Sequence, residues 1–260
     1  MKKILILNWK MQLSVNDSCA LAEEINNEFD NLNLDKIELG ICPDFLSMHK
    51  ISKIIKASNI KLGSQDAFWY EKGAYTGEIS PVFLKELGVE FVILGHSERR
   101  THMQESDIFI NKKMKTVLEN NMVPILCVGE NFEERQNNQK DLVIINQVKN
   151  ALNNIDLENL KRLIIAYEPI WVIGSGQAIE SNEAQETNVI IKQTLLDIFY
   201  EKGIELNDEN FKNKIQILYG GSVDSTNVSN FLNEEDIDGV LVGGAGVKFE
   251  TFCSLTKAIK

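Results

Sequence analysis

The 260-residue chain has only 4 prolines and 4 cysteines, and each scarcity excludes something. The prolines stand singly, so there is no proline-rich linker, and no low-complexity tract or fixed-period repeat divides the chain. The cysteines, Cys19, Cys42, Cys127 and Cys253, form no CxxC pair and have no histidine cluster of zinc-ligand spacing beside them, which points to reduced, packed thiols. No uncharged apolar run approaches the roughly 18 residues of a membrane helix. The aliphatic start Ile4 to Leu7 is broken by Asn8 and Lys10, too soon for a signal-peptide core. Basic residues are also in deficit, 27 Lys and Arg against 38 Asp and Glu, for a formal charge of −11. Such a field repels nucleic acid and anionic membrane. It also repels a phosphorylated metabolite at long range, so a ligand of that kind requires local cations or aimed backbone N–H groups. The expectation is a cytoplasmic protein with no metal, cofactor, nucleic-acid partner or membrane segment, organised as a single domain over residues 1–260.

What recurs is short aliphatic runs: Ile4 to Leu7, Ile37 to Ile41, Ile60 to Leu62, Phe91 to Leu94, Val123 to Val128, Leu163 to Tyr167, Ile215 to Tyr219 and Val240 to Val242. They are apolar on both faces and rich in β-branched residues, the pattern of fully buried strands. Between them lie stretches of helical period: Leu21, Ala22, Ile25 and Phe29; Ile110, Met114, Val117 and Leu118; and Ala184, Ile191, Leu195 and Ile198. Ser106 gives a start signal for the second, and Asn182 with Gln185 three residues on gives one for the third. Alternating strands and helices make an α/β fold with parallel strands, a closed (β/α)8 barrel or an open doubly wound sheet.

Polar residues follow nearly every run: Asn8 and Lys10, Gln65, His96 and Glu98, Gly129 and Glu130, Glu168, Gly220 to Ser222, then Gly243 and Gly244. In a closed barrel all of them surround one mouth, where active sites of such barrels lie. The two late glycine clusters follow the last two strands, where backbone N–H groups cradle phosphate. Glu168 precedes Pro169 and so stands at a strand end. After it, the apolar stretch Ile170 to Ile173 runs into Gly174, Ser175 and Gly176, a segment suited to a lid that dehydrates a carboxylate base. His96 offers a proton donor and Lys10 a cation near the same mouth. A base, a proton donor, a lysine and a phosphate cradle describe proton abstraction beside a carbonyl in a small phosphorylated sugar. Two other readings fit less of this set. A phosphate-binding barrel such as an aldolase would want a Schiff-base lysine or a metal cluster. A catalytically silent binding or scaffold barrel would not need Asn8, Lys10, His96 and Glu168 together.

Six segments carry a resemblance across nearly the whole chain: Asn8 to Met11, Gly73 to Ser80, Gly95 to Arg100, Ala166 to Trp171, Tyr219 to Ser222 and Leu241 to Ala245. Together they resemble the triosephosphate isomerase family. The resemblance implies a (β/α)8 barrel, usually a homodimer, that interconverts dihydroxyacetone phosphate and glyceraldehyde 3-phosphate without cofactor. It implies Glu168 as base, His96 as neutral electrophile, and Lys10 with Asn8 stabilising the anionic oxygens. It further implies that backbone N–H groups of Gly174, Ser222, Gly243 and Gly244 hold the phosphate. Glu98 would either support Lys10 or pair with an arginine. Ile173 and Leu241 would sandwich Glu168, while Gln65 and Thr76 would serve the subunit contact. Val172, Ser175, Gln177, Asp66 and Gly246 depart from the usual family pattern without replacing any of these groups.

Overall fold

The computed structural model describes residues 2–28, 36–158, 160–174 and 177–259. Phe29, Ser175 and Gly176 therefore lie outside the described residues. The strands are β1 (Lys3–Asn8), β2 (Ile37–Cys42), β3 (Lys61–Ser64), β4 (Val89–Leu94), β5 (Val123–Val128), β6 (Leu163–Tyr167), β7 (Ile215–Tyr219) and β8 (Gly239–Val242). All pair in parallel in chain order, and β8 returns to β1 through Ile4 opposite Gly239 and Leu7 opposite Val242, closing the barrel. The helices packed outside are α1 (Val15–Glu28), α2 (Met48–Ile54), α3 (Pro81–Glu86), α4 (Ser97–His102), α5 (Asp107–Glu119), α6 (Phe132–Gln136), α7 (Lys140–Ala151), α8 (Ser181–Glu201), α9 (Asp208–Lys214), α10 (Val228–Leu232) and α11 (Phe249–Ala258).

Closure explains why apolar residues occur on both faces of the strands. Ile4, Ile6, Ile93, Ile125, Ile164 and Leu218 belong to an inner cluster inside the barrel, while the alternating Leu5, Leu7, Val92, Leu94 and Ile165 belong to the cluster shared with the helices. Period two thus sends successive residues into two different cores. On the outer side α1 buries Leu21, Ala22 and Ile25, α5 buries Ile110, Met114 and Val117, and α8 buries Ala184, Ile191, Leu195 and Ile198. Among the described residues, no helix is long and apolar enough to cross a membrane.

The start of α8 differs from the expectation. Glu180 occupies the N-cap without a side-chain bond, and Asn182 lies inside the helix. Gln185 is used elsewhere: its Nε2 donates to Asp236 Oδ2 (2.8 Å) and its Oε1 accepts from Asp236 N (2.9 Å). A tertiary bond to the segment before β8 therefore overrides the local capping pattern. Ser106 does occupy the N-cap of α5, although its side chain makes no capping bond.

Candidate active site

Every strand ends at the same rim, and a cavity of about 300 Å³ opens there. Its walls include Asn8 and Lys10 after β1, His96 after β4, Glu168 after β6, Ser222 after β7, and Leu241, Gly243 and Gly244 at the end of β8. Ile173 and Gly174 close one side. A larger cavity, about 470 Å³, lies between the end of α5 and the segment leading into β6, but Leu118, Met122, Ile155 and Leu160 line it and no histidine does. The chemistry converges on the smaller one.

Glu168 is almost fully buried. Its backbone N–H continues the β6 ladder to Val128 O (2.7 Å), and the strand end points its side chain inward. Oε2 accepts from the Ser97 backbone N–H at 2.9 Å. Oε1 lies 3.1 Å from His96 Nε2 yet makes no hydrogen bond there. Gly220 makes room for this side chain, since a Cβ at that position would stand 3.0 Å from Glu168 Cγ.

His96 occupies the N-cap of α4, and its Nδ1 accepts from the Glu98 backbone N–H at 3.2 Å. An accepting Nδ1 carries no proton, so the proton of the neutral ring is on Nε2, the nitrogen 3.1 Å from Glu168 Oε1. Lys10 adopts a left-handed backbone conformation (φ 53°), unusual for a residue with a side chain. Two bonds brace it. Its N–H donates to Asn8 Oδ1 (3.1 Å), and its carbonyl accepts from Gln65 Nε2 (2.8 Å), which also reaches Cys42 O (3.1 Å). Gln65, expected at a subunit contact, thus bonds within the chain to the backbone of the site. The Lys10 side chain passes over Gly243, where a Cβ would come within 3.2 Å of its Cε.

Lys10 Nζ ends 2.6 Å from Glu98 Oε1, so Glu98 pairs with the lysine and not with an arginine. Partial burial pushes the Glu98 carboxyl up, but the bond from Lys10 and the charge of neighbouring groups outweigh it and hold the carboxyl below its ordinary range. Thr76 is exposed, in a run from Tyr70 to Glu78 that is exposed throughout.

Glu130 and Ser222, placed near the mouth by the sequence, have partners there that sequence patterns did not assign. Glu130, fully buried after β5, accepts from Tyr167 hydroxyl (3.2 Å) and Trp171 Nε1 (3.0 Å). Burial and the Glu130 charge push the Tyr167 hydroxyl well above its ordinary pKa, so it stays a donor. Ser222 Oγ donates to Val172 O at 2.9 Å, and Asn227 Nδ2 donates to Ser222 O at 3.2 Å, which links the β7 loop to the apolar segment after Glu168. Burial, then the nearby Glu168 charge, push the Cys127 thiol far up, leaving it an inert packing group. Among the described residues, no group of three His, Cys, Asp or Glu side chains is placed to hold a metal.

The family model described as triosephosphate isomerase matches residues 3–259. A triosephosphate isomerase of Dictyoglomus thermophilum is 40% identical over 259 residues, covering 99% of each chain. The enzyme of that name from Dehalococcoides mccartyi (strain CBDB1) is 42% identical over 258 residues, 99% of this chain and 96% of the relative. The one from Clostridium tetani is 39% identical over 254 residues, 98% and 95% of the two chains.

Proposed function

The chain belongs to the triosephosphate isomerase family, and from that premise we propose how its residues interconvert dihydroxyacetone phosphate and glyceraldehyde 3-phosphate. Glu168 takes the proton from C1 of the ketone, the C1–C2 double bond forms, and the C2 oxygen becomes the anionic oxygen of an enediolate. His96 Nε2–H donates to that oxygen, and the Lys10 ammonium faces the same charge. The proton held by Glu168 returns to C2 while the hydroxyl proton of O1 moves to O2, which gives the aldehyde. Asn8 fixes the Lys10 backbone. Backbone N–H groups of Gly174, Ser222, Gly243 and Gly244 grip the phosphate, so a chain of net charge −11 binds an anion through local dipoles.

The observation carrying this reading is the 3.1 Å approach of Glu168 Oε1 to His96 Nε2 in a cavity also lined by the glycine loops after β7 and β8. A coupled assay with glyceraldehyde 3-phosphate tests it. Glu168→Gln should lower kcat by about 10³ with KM little changed, as expected for loss of a general base. Wild-type protein inert toward both trioses would overturn the reading and favour the silent barrel.

The functional unit is a homodimer. Met11 after β1, Leu46 after β2, Tyr70 and Tyr75 after β3 and Met103 beyond β4 are exposed at 95%, 83%, 49%, 42% and 66%. These four loops are neighbours around the rim, so their apolar surface is gathered on one side of the mouth. Four free thiols suit a reducing cytoplasm.

A further inference from the structure

Arg135, in α6, touches neither the cavity nor any residue assigned a role above in the chemistry. Its guanidinium carbon nevertheless lies 4.5 Å from the Trp171 ring centroid. One nitrogen, Nη1, is 3.3 Å from Glu130 Oε1, the atom that also accepts from Trp171 Nε1. The other, Nη2, is 2.5 Å from Glu183 Oε1 in the first turn of α8. One planar cation therefore lies over Trp171 in the 170–174 segment and ties it to the helix that follows this part of the chain. A guanidinium can do both because it presents two donors along its edge and a face to the indole, whereas an ammonium cannot.

We propose that Arg135 is a positioning residue for the isomerisation, which seats the 170–174 segment against Glu168 by lying over Trp171 while it pairs with Glu130 and Glu183. The proposal rests on the functional reading above. Its consequence is chemical. When that segment shields the enediolate, the electron pair returns to carbon as a C–H bond. When it does not, the same pair expels the C3 phosphate with cleavage of the C–O bond, giving free phosphate and the enol of a 2-oxoaldehyde.

The test measures phosphate released per isomerisation, together with the ¹⁹F resonance of 5-fluorotryptophan at position 171. Arg135→Ala should raise the elimination fraction severalfold, lower kcat more than it raises KM, and shift the Trp171 resonance without substrate present. Arg135→Lys should not restore the wild-type ratio. Glu183→Gln, which cuts only the α8 arm, should raise it about two-fold and decides the matter if Arg135→Ala does not fold. Folded variants with the wild-type elimination ratio, whatever their melting temperature, would overturn the proposal. An inactive wild type would instead sink the functional reading, while the Trp171 resonance would still report on the clamp.

Discussion

His96 Nδ1 accepts a hydrogen bond from the backbone N–H of Glu98 at 3.2 Å, which fixes the proton of the neutral ring on Nε2, the nitrogen nearer Glu168. In ¹⁵N spectra of the neutral ring, His96 should carry its proton on Nε2 and none on Nδ1. His96→Gln should lower kcat by about 10². A neutral ring protonated on Nδ1 would contradict this assignment.

Gly220 determines where the base can stand. A Cβ there would lie 3.0 Å from Glu168 Cγ and 3.3 Å from the Tyr167 carbonyl oxygen. The carboxylate side chain can give way and the backbone cannot, so Gly220→Ala should displace Glu168 before it unfolds the barrel. A displacement of an ångström at a catalytic group costs up to about 10² in rate. Steady-state kinetics should show kcat reduced at least ten-fold with a melting temperature within a few degrees of wild type. A wild-type kcat would mean that Glu168 has slack in this direction.

The barrel strands were legible because closure makes both faces of each strand apolar, and the runs at β5, β6 and β7 match the observed bounds residue for residue. The start of α8 was not, since Gln185 spends its amide on Asp236, 51 residues away in sequence. In the site, Asn8, Lys10, His96 and Glu168 stood out as reactive residues just past strands. Their convergence came from family motifs and not from periodicity. Glu98 could not be assigned a partner because that partner, Lys10, is 88 residues away. Glu130 and Arg135 left no local signal for their roles, which exist only where β5, β6 and α8 meet.

Asp66 should make stability depend on pH. Burial is the largest influence and pushes its carboxyl up to about 6; Lys113 and Arg99 pull it down, and Glu105 pushes it further up. In an unfolded chain the carboxyl titrates near 3.9. Between about pH 4 and 6 the native state therefore holds more protons than the unfolded one, and the Asp66 contribution to stability falls as pH rises through this window. Asp66→Asn removes that titration while Lys113 keeps Glu105 as a partner. The stability of the variant relative to wild type should thus increase from pH 4 to pH 7 by an amount on the order of 2 kcal/mol. Urea unfolding across this range measures it, and parallel pH profiles would show that Asp66 does not titrate there.

The exposed stretch around Thr76 carries the last prediction. Tyr75 stacks on Tyr70 with ring centroids 4.9 Å apart and packs beside Phe68, so the aromatic base of this loop is ordered while Thr76 projects from it. Two neighbouring loops expose Met11 at 95% and Leu46 at 83%, apolar surface that a second copy of the chain would cover. Met11 directly follows Lys10, whose left-handed backbone depends on bonds from Asn8 and Gln65. Covering Met11 would therefore restrain Lys10, and activity should follow association. Met11→Asp or Thr76→Arg should yield a monomer by sedimentation equilibrium with kcat reduced by about 10² or more, because Lys10 loses the restraint on its neighbour. A monomer of either variant that retained full kcat would show that the site is complete within one chain.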